Sequence, residues 1–211
     1  MLTLLDAISN SGWATWVRDS ETVFGYATVL AFHTLGMIFV VGISSAIALR
    51  TLGVARDLPI APLLAYAPLM FAGFFVNLAT GVVLFLLDGS TFATNVDYWI
   101  KMAAVAGAIV TARSLLASLR DPAVAAGAAV PPRGRALALR LLVFWLIAVT
   151  AGRLTAYDAL VERQSAVAVL IAFVALVVIV RYVAPRLFGW ESEAGAATAS
   201  MRDLPSRRAA R

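Results

Sequence analysis

Apolar residues occur along this chain in long blocks that are separated by short polar stretches. A helix of about 20 apolar residues is enough to cross a bilayer. Five blocks reach that length, at approximately 23–49, 60–87, 98–119, 136–157 and 164–184. The pattern predicts an all-α, polytopic membrane helix bundle with about five transmembrane helices, in one membrane domain over residues 23–184.

The segments on either side of this domain have different patterns. In residues 1–22, apolar residues including Trp13 and Trp16 recur at near-helical intervals among polar ones. This predicts a short amphipathic helix lying in the membrane interface with its indoles at headgroup depth. Residues 185–211 are small, charged and rich in arginine, which predicts a disordered cytoplasmic tail.

Composition narrows the class of protein further. With 62% hydrophobic residues, 14% charged residues and a mean hydropathy of +0.89 in 211 residues, there is no room for a large soluble catalytic domain. The net charge of +5 comes from basic residues that flank apolar blocks, so it favours contact with the lipid bilayer and not with nucleic acid. The chain has no cysteine and one histidine, which excludes thiolate metal sites, disulfides and bis-histidine haem within one chain.

The distribution of basic residues predicts the orientation. If the N-terminus is outside, only four of the 17 lysines and arginines lie on the outer side, namely Arg18, Lys101, Arg153 and Arg163. The positive-inside rule then predicts an outer N-terminus and a cytoplasmic C-terminus. Frequent alanine and arginine with almost no lysine are typical of a GC-rich bacterial genome, so we expect the bacterial inner membrane.

Two polar residues lie deep in the first two blocks. His33 and Asn77 are each about ten residues, or roughly 15 Å, from the predicted outer end, so they meet if the helices pack as antiparallel neighbours. Asn77 shares a helix face with Gly73, Thr80 and Gly81, which favours close packing. Asparagine and threonine beside a glycine stripe are more often interhelical hydrogen-bonding groups than ligands, and ligand binding is the alternative for Asn77.

A second polar group lies nearer the outer surface. Lys101 begins the third block with Asp97 at i−4, and Arg153 ends the fourth block with Tyr157 at i+4. One interpretation is that the cations extend to the lipid headgroups and the tyrosine joins an aromatic belt. The other is an outward-open crevice with Lys101 and Arg153 at its rim and His33 and Asn77 at its floor.

Short motifs in four places carry a family resemblance. They are Trp16-Val-Arg18-Asp-Ser20, His33-Thr-Leu-Gly36, Trp99-Ile-Lys101 and the W…GR..AY pattern from Trp145 to Tyr157. Together they resemble a bacterial integral-membrane family known as domain of unknown function 6644, over roughly residues 8–157. The resemblance implies that His33, Lys101, Gly152, Arg153 and Tyr157 occupy the family's signature positions. The family has no established activity to carry over.

Several functions fit these residues. In a ligand-binding or redox subunit, His33 would ligate haem iron or another metal, or would bond a quinone carbonyl, while Lys101 and Arg153 hold an anion. Met37, at i+4 from His33, would add a soft ligand that favours copper. The alternatives are a small-anion transporter or permease, and a non-enzymatic scaffold that pairs with other membrane subunits or with copies of itself. An enzyme is disfavoured, because the spans contain no nucleophile–base motif, phosphate loop or carboxylate pair.

Overall fold

A computed structural model describes residues 1–20, 22–55, 57–121, 124, 130–155 and 171. The chain forms two compact units, Met1–Tyr157 and Asp158–Arg211. The predicted fifth span and the tail lie outside the described residues. The helices of the first unit are α1 (Leu2–Ser9), α2 (Gly12–Asp19), α3 (Tyr26–Thr51), α4 (Ile60–Ala65), α5 (Ala67–Leu87), α6 (Gly89–Thr94), α7 (Val96–Leu119) and α8 (Pro132–Leu154).

Four long apolar segments of this unit are able to cross a membrane. They are Tyr26–Thr51, Ile60–Leu87, Val96–Leu119 and Pro132–Leu154. Each coincides with a predicted apolar block to within a few residues, and the described residues contain no strand. The prediction of an all-α, multi-pass membrane bundle is therefore confirmed.

The second of these spans is divided at Tyr66, between α4 and α5. Pro68 causes the break, because its nitrogen has no hydrogen to donate and its ring clashes with the carbonyl of the preceding turn. The Tyr66 amide instead donates to the Leu63 carbonyl at 3.2 Å, a tighter turn than an α-helix makes.

The N-terminal segment forms two short helices instead of a single one. The break falls at Ser11, whose hydroxyl accepts a hydrogen bond from the Ala14 amide at 3.3 Å and so caps α2. On α2, Ala14 and Val17 are buried against the end of α5, whereas Trp16 is 54% exposed. The segment is therefore amphipathic, although its position in the interface stays a prediction.

The four spans form two antiparallel pairs. Helix α3 packs along α5, and α7 packs along α8, while contact between α3 and α8 joins the two pairs. By contrast, α5 and α7 make little direct contact. We call the end of the bundle where α3 and α7 begin and α5 and α8 finish the α1–α2 end. The gap between α5 and α7 at that end contains the candidate site.

The seam between α3 and α5 depends on two glycines. A Cβ placed on Gly36 would lie 2.6 Å from the Gly73 carbonyl oxygen and 2.7 Å from the Asn77 amide nitrogen. Any side chain at this position would force the two backbones apart. Because the helices come this close, polar groups on α5 reach His33 directly.

The α7–α8 seam is built differently, from apolar side chains. Small and branched residues of both helices are buried here, including Ala104, Ala108, Leu115, Ala138 and Leu141. The contact between the two pairs contains a buried hydrogen bond, in which the Trp145 indole donates to the Ser44 hydroxyl at 2.8 Å.

Candidate functional site

A cavity of about 110 Å³ lies between α5 and α7, with α3 behind it. Its lining residues are His33, Phe74, Asn77, Leu78, Gly81, Val82, Phe85, Tyr98, Lys101, Met102 and Val105. Leu78 and Val82 are 41% and 51% exposed on the outer face of α5, the face that meets lipid in a membrane. The cavity therefore borders the bilayer laterally.

The point at which α7 begins determines which of its residues line the cavity. Asn95 caps α7 by accepting a hydrogen bond from the Tyr98 amide at 3.1 Å. Tyr98, Lys101, Met102 and Val105 then share one face, at spacings of three, four and seven residues. Lys101 lies about 7 Å along the helix from its first residue.

Gly152 of α8 lies against the stem of Lys101. A Cβ placed on Gly152 would lie 3.4 Å from Lys101 Cδ and 3.9 Å from Nζ. The aliphatic part of the lysine thus packs across the glycine, and Lys101 also lines the cavity. This contact gives a physical role to a glycine that only the family resemblance had singled out.

His33 and Asn77 are joined by hydrogen bonds in both directions. Nδ1 of His33 lies 3.0 Å from the Asn77 backbone carbonyl and 3.1 Å from the Thr80 hydroxyl. In return, the Asn77 side-chain amide donates to the His33 carbonyl at 2.7 Å. The sequence-based prediction that the two residues meet between neighbouring antiparallel helices is confirmed, and this network fixes the orientation of the imidazole.

The same network assigns the proton of the neutral imidazole. The Thr80 hydroxyl donates to the Val76 carbonyl at 2.7 Å, so its oxygen is an acceptor toward His33. The Asn77 carbonyl is also an acceptor. The Asn77 side-chain nitrogen also lies 3.4 Å from Nδ1, but it already donates to the His33 carbonyl at 2.7 Å. The shorter contact of Nδ1 with the Asn77 carbonyl therefore favours a proton on Nδ1 and a lone pair on Nε2. Among the described residues, Nε2 has no hydrogen-bond partner, and the imidazole borders the cavity.

Lys101 has no ion-pair partner in the described part of the chain. In particular, the predicted pair with Asp97 at i−4 does not form, because Lys101 is directed toward the cavity and Gly152 instead of along α7. Asp97 lies in the first turn of α7, where the helix dipole favours a negative charge. The cavity thus contains a cation whose charge no described carboxylate balances.

Aromatic side chains close the cavity toward the α1–α2 end. The rings of Phe85 and Tyr98 stack across the gap between α5 and α7, with centroids 5.3 Å apart. Phe92 on α6 lies 5.5 Å from Tyr98, and the Trp99 ring meets Tyr98 edge-on at 5.5 Å. The rings of Phe85 and Tyr98 face each other, so this end of the cavity is closed by a stacked aromatic pair.

The N-terminal helices α1 and α2 form hydrogen bonds with the end of α5 beside this closed end of the cavity. Arg18 on α2 donates to the Leu87 carbonyl at 3.1 Å, and Ser9 on α1 donates to the Leu86 carbonyl at 3.1 Å. These bonds satisfy carbonyls at the end of α5 that have no partner within the helix, and the guanidinium also complements the helix dipole. Arg18 therefore has a structural contact in addition to its place in the charge count.

The other predicted site residues do not join this cavity. Arg153 is exposed at the end of α8 and is absent from the lining, and Tyr157 lies outside the described residues. Met37 is 37% exposed on α3 and also lies away from the cavity. The i+4 spacing places Met37 one turn beyond His33 on α3. The imidazole is directed toward α5, however, and Met37 does not line the cavity.

Phe74, Phe85, Tyr98 and Met102 are lining residues that sequence reasoning did not identify. Spacing on α7 was a usable signal, because Tyr98 lies three residues before Lys101 and four before Met102, and neighbours at these spacings share a helix face.

The donor set and the size of the cavity limit what it can hold. The described residues contain no cluster of three or more histidines and carboxylates that could hold a metal ion. His33 Nε2 is the single imidazole ligand available here, with the Met102 thioether on the facing helix. A cavity of about 110 Å³ holds several waters or one small ring, whereas a porphyrin macrocycle is larger.

Comparisons with protein-family models, with curated proteins and with solved structures gave no match to this chain. The resemblance to domain of unknown function 6644 stays a prediction.

Proposed function

We propose that this membrane protein binds a small oxygen-bearing ligand in the cavity between α5 and α7, anchored by Lys101 and His33. The observation that carries the proposal is the cation of Lys101, which has no ion-pair partner among the described residues and borders the same cavity as Nε2 of His33. Ionisable side chains within membrane-spanning helices usually face a ligand, water or a transport path.

The ligand reaches this cavity from the lipid. Support comes from the weak contact between α5 and α7 and from the exposed apolar rim of Leu78 and Val82. The stacked rings of Phe85 and Tyr98 obstruct the route along the bundle from the α1–α2 end. This geometry favours a ligand-binding protein over a permease for a small aqueous anion, which needs a polar path through the bundle.

A chemical property of the chain makes the proposal directly testable. Lys101 is the only lysine, so an amine reagent modifies Lys101 and the N-terminal amine and no other side-chain amine. We expect apolar phenyl isothiocyanate to modify Lys101 in proteoliposomes faster than its membrane-impermeant 4-sulfo derivative does. Peptide mass spectrometry distinguishes the two sites.

Occupancy of the cavity is then measured as protection of Lys101. We expect saturating 4-hexylphenol to slow its modification about tenfold while the N-terminal amine, the internal control, reacts at an unchanged rate. The proposal is wrong if Lys101 does not react with the apolar reagent, or if hexylphenol, decanoate and a short-chain ubiquinol all leave its rate unchanged.

The orientation is part of this proposal, with the α1–α2 end outside a bacterial inner membrane. Its support is the excess of arginine at the opposite end of the spans, where Arg50, Arg120, Arg133 and Arg135 lie. The chain contains no cysteine, so single-cysteine reporters are unambiguous. We expect a membrane-impermeant maleimide to label Thr91→Cys in intact cells and Arg133→Cys only after permeabilisation; the reverse pattern would show an inverted protein.

A further inference from the structure

We infer that the ligand is a hydroxylated aromatic ring of the quinol class, with its apolar tail passing between α5 and α7 into the bilayer. This inference rests on the proposed ligand-binding function and specifies its chemistry. Three features carry it: the proton assignment of His33, the single ammonium of Lys101, and the aromatic residues around them.

The hydrogen-bonding character of the two polar groups selects the ligand. In its neutral form His33 offers a lone pair at Nε2, which accepts a hydrogen bond from a ligand hydroxyl. Lys101 has only donors, so it binds an oxygen acceptor. A ligand that satisfies both must carry a hydroxyl that donates to Nε2 and an oxygen that accepts from Lys101, and a quinol offers a hydroxyl for each role.

A fatty acid would balance the charge of Lys101 but is a poorer match for His33. Its carboxylate has acceptors only, so one oxygen would bind Lys101 while the other faced the lone pair on Nε2 of His33. A fully oxidised quinone has the same defect at His33, because both of its oxygens are carbonyls. The inference therefore includes a preference for the reduced ring.

The walls of the cavity match a ring and not a straight chain. Phe74 and Phe85 approach from α5, and Tyr98 approaches from α7. Phe74 and the stacked pair of Phe85 and Tyr98 give the cavity aromatic walls, which pack well against a planar ring, and the volume of about 110 Å³ suits one ring. Beyond the ring, the apolar rim at Leu78 and Val82 provides a surface for a hydrocarbon tail.

The test measures protection of Lys101 from phenyl isothiocyanate by four probes. They are ubiquinol with one isoprene unit, its dimethyl ether at the two ring hydroxyls, the corresponding ubiquinone, and decanoate. We expect the quinol to protect at concentrations about tenfold lower than any of the other three. The dimethyl ether has a similar ring and tail but no hydroxyl to donate, so it isolates the bond to His33 in the unaltered protein.

Two variants localise the effect. In His33→Leu we expect the advantage of the quinol over its ether to disappear, while Thr34→Val, an exposed neighbour on α3, retains it. If His33→Leu does not fold, the comparison of quinol and ether on the unaltered protein decides alone.

The outcomes separate the two proposals. Equal protection by quinol and ether, or stronger protection by ubiquinone or decanoate, would overturn the assignment of the ring and leave the ligand-binding pocket standing. Absence of protection by every probe would overturn both.

Discussion

The two seams of the bundle hold their helices together in different ways. Between α3 and α5, backbone meets backbone at Gly36 and Gly73, and polar groups bond across the contact. Between α7 and α8, the closest approach at Gly107 is to the ring edge of Phe144, at 2.8 Å from a Cβ placed there. The first seam is fixed by atoms that cannot rotate away, and the second is adjustable.

Each seam contributes one polar group to the cavity. The rigid α3–α5 seam holds the His33 imidazole in one orientation, and the α7–α8 seam supports the flexible stem of Lys101 on Gly152. The cavity exists because the two pairs meet through α3 and α8 and hardly at all through α5 and α7. A fixed acceptor facing a movable donor is an arrangement that can adapt to a bound ligand.

The largest expected effect tests the rigid seam. Gly36→Ala places a methyl group against backbone atoms of Gly73 and Asn77, so we expect a loss of about 2–3 kcal/mol in the free energy of unfolding. Titration with dodecyl sulfate in mixed micelles measures it. Gly107→Ala, the matched change in the adjustable seam, is expected to cost less than 1 kcal/mol because the Phe144 ring can shift. Equal losses for the two variants would remove the distinction between the seams.

The next effect concerns the contact that joins the two pairs. Ser44→Ala removes the acceptor of the buried Trp145 indole, and we expect a loss of about 1–2 kcal/mol in the same titration. Ser114→Ala is the control, since that exposed hydroxyl bonds only within its own helix, to Val110 at 3.0 Å. If the two variants have the same stability, the interhelical bond contributes nothing.

Asn77→Ala tests the polar part of the rigid seam. It deletes the bond from the side-chain amide to the His33 carbonyl, and we expect a loss of about 1 kcal/mol, as is usual for interhelical hydrogen bonds in membranes. Thr34→Ala serves as control because its hydroxyl bonds only to Leu30 of the same helix. A loss no larger than that of the control would show that glycine packing alone holds this seam.

The smallest expected effect has the opposite sign. Lys101→Met removes an ammonium that has no ion-pair partner among the described residues, while the unbranched side chain still covers Gly152. We expect the free energy of unfolding of the ligand-free protein to rise by about 0.5–1 kcal/mol, because a binding group is retained at a cost in stability. The exposed Arg113→Met on the same helix is expected to leave stability unchanged. A loss on Lys101→Met would identify the lysine as a structural residue.

Much of the fold follows from the chain itself. Block length and composition define the four described spans, because a bilayer requires about 20 apolar residues whatever the neighbours are. Equal depth along antiparallel helices was enough to predict the meeting of His33 and Asn77. The break of the second span before Pro68 was not predicted, and the single N-terminal helix of the prediction proved to be two.

The candidate site was less predictable, since it depends on which way side chains turn. Asp97 has the spacing of an ion-pair partner for Lys101, and Met37 has the spacing of a second ligand beside His33. Neither contact forms, because Lys101 and His33 are directed across helix contacts and not along their own helices. Spacing within one helix cannot show this preference.

The sequence by itself determined the class of protein, the number and limits of the described spans, and the depth of each polar residue, because these depend on local composition and on the thickness of a bilayer. Only the tertiary structure decided that α5 and α7 make little contact with each other, whereas α3 and α8, the helices with which they pair, are in contact. It also decided that His33 and Lys101 border the resulting cavity. Helix pairing depends on the summed packing of whole faces, and here close contact at Gly36 and Gly73 brings α5 to α3 and leaves the space beside α7 open.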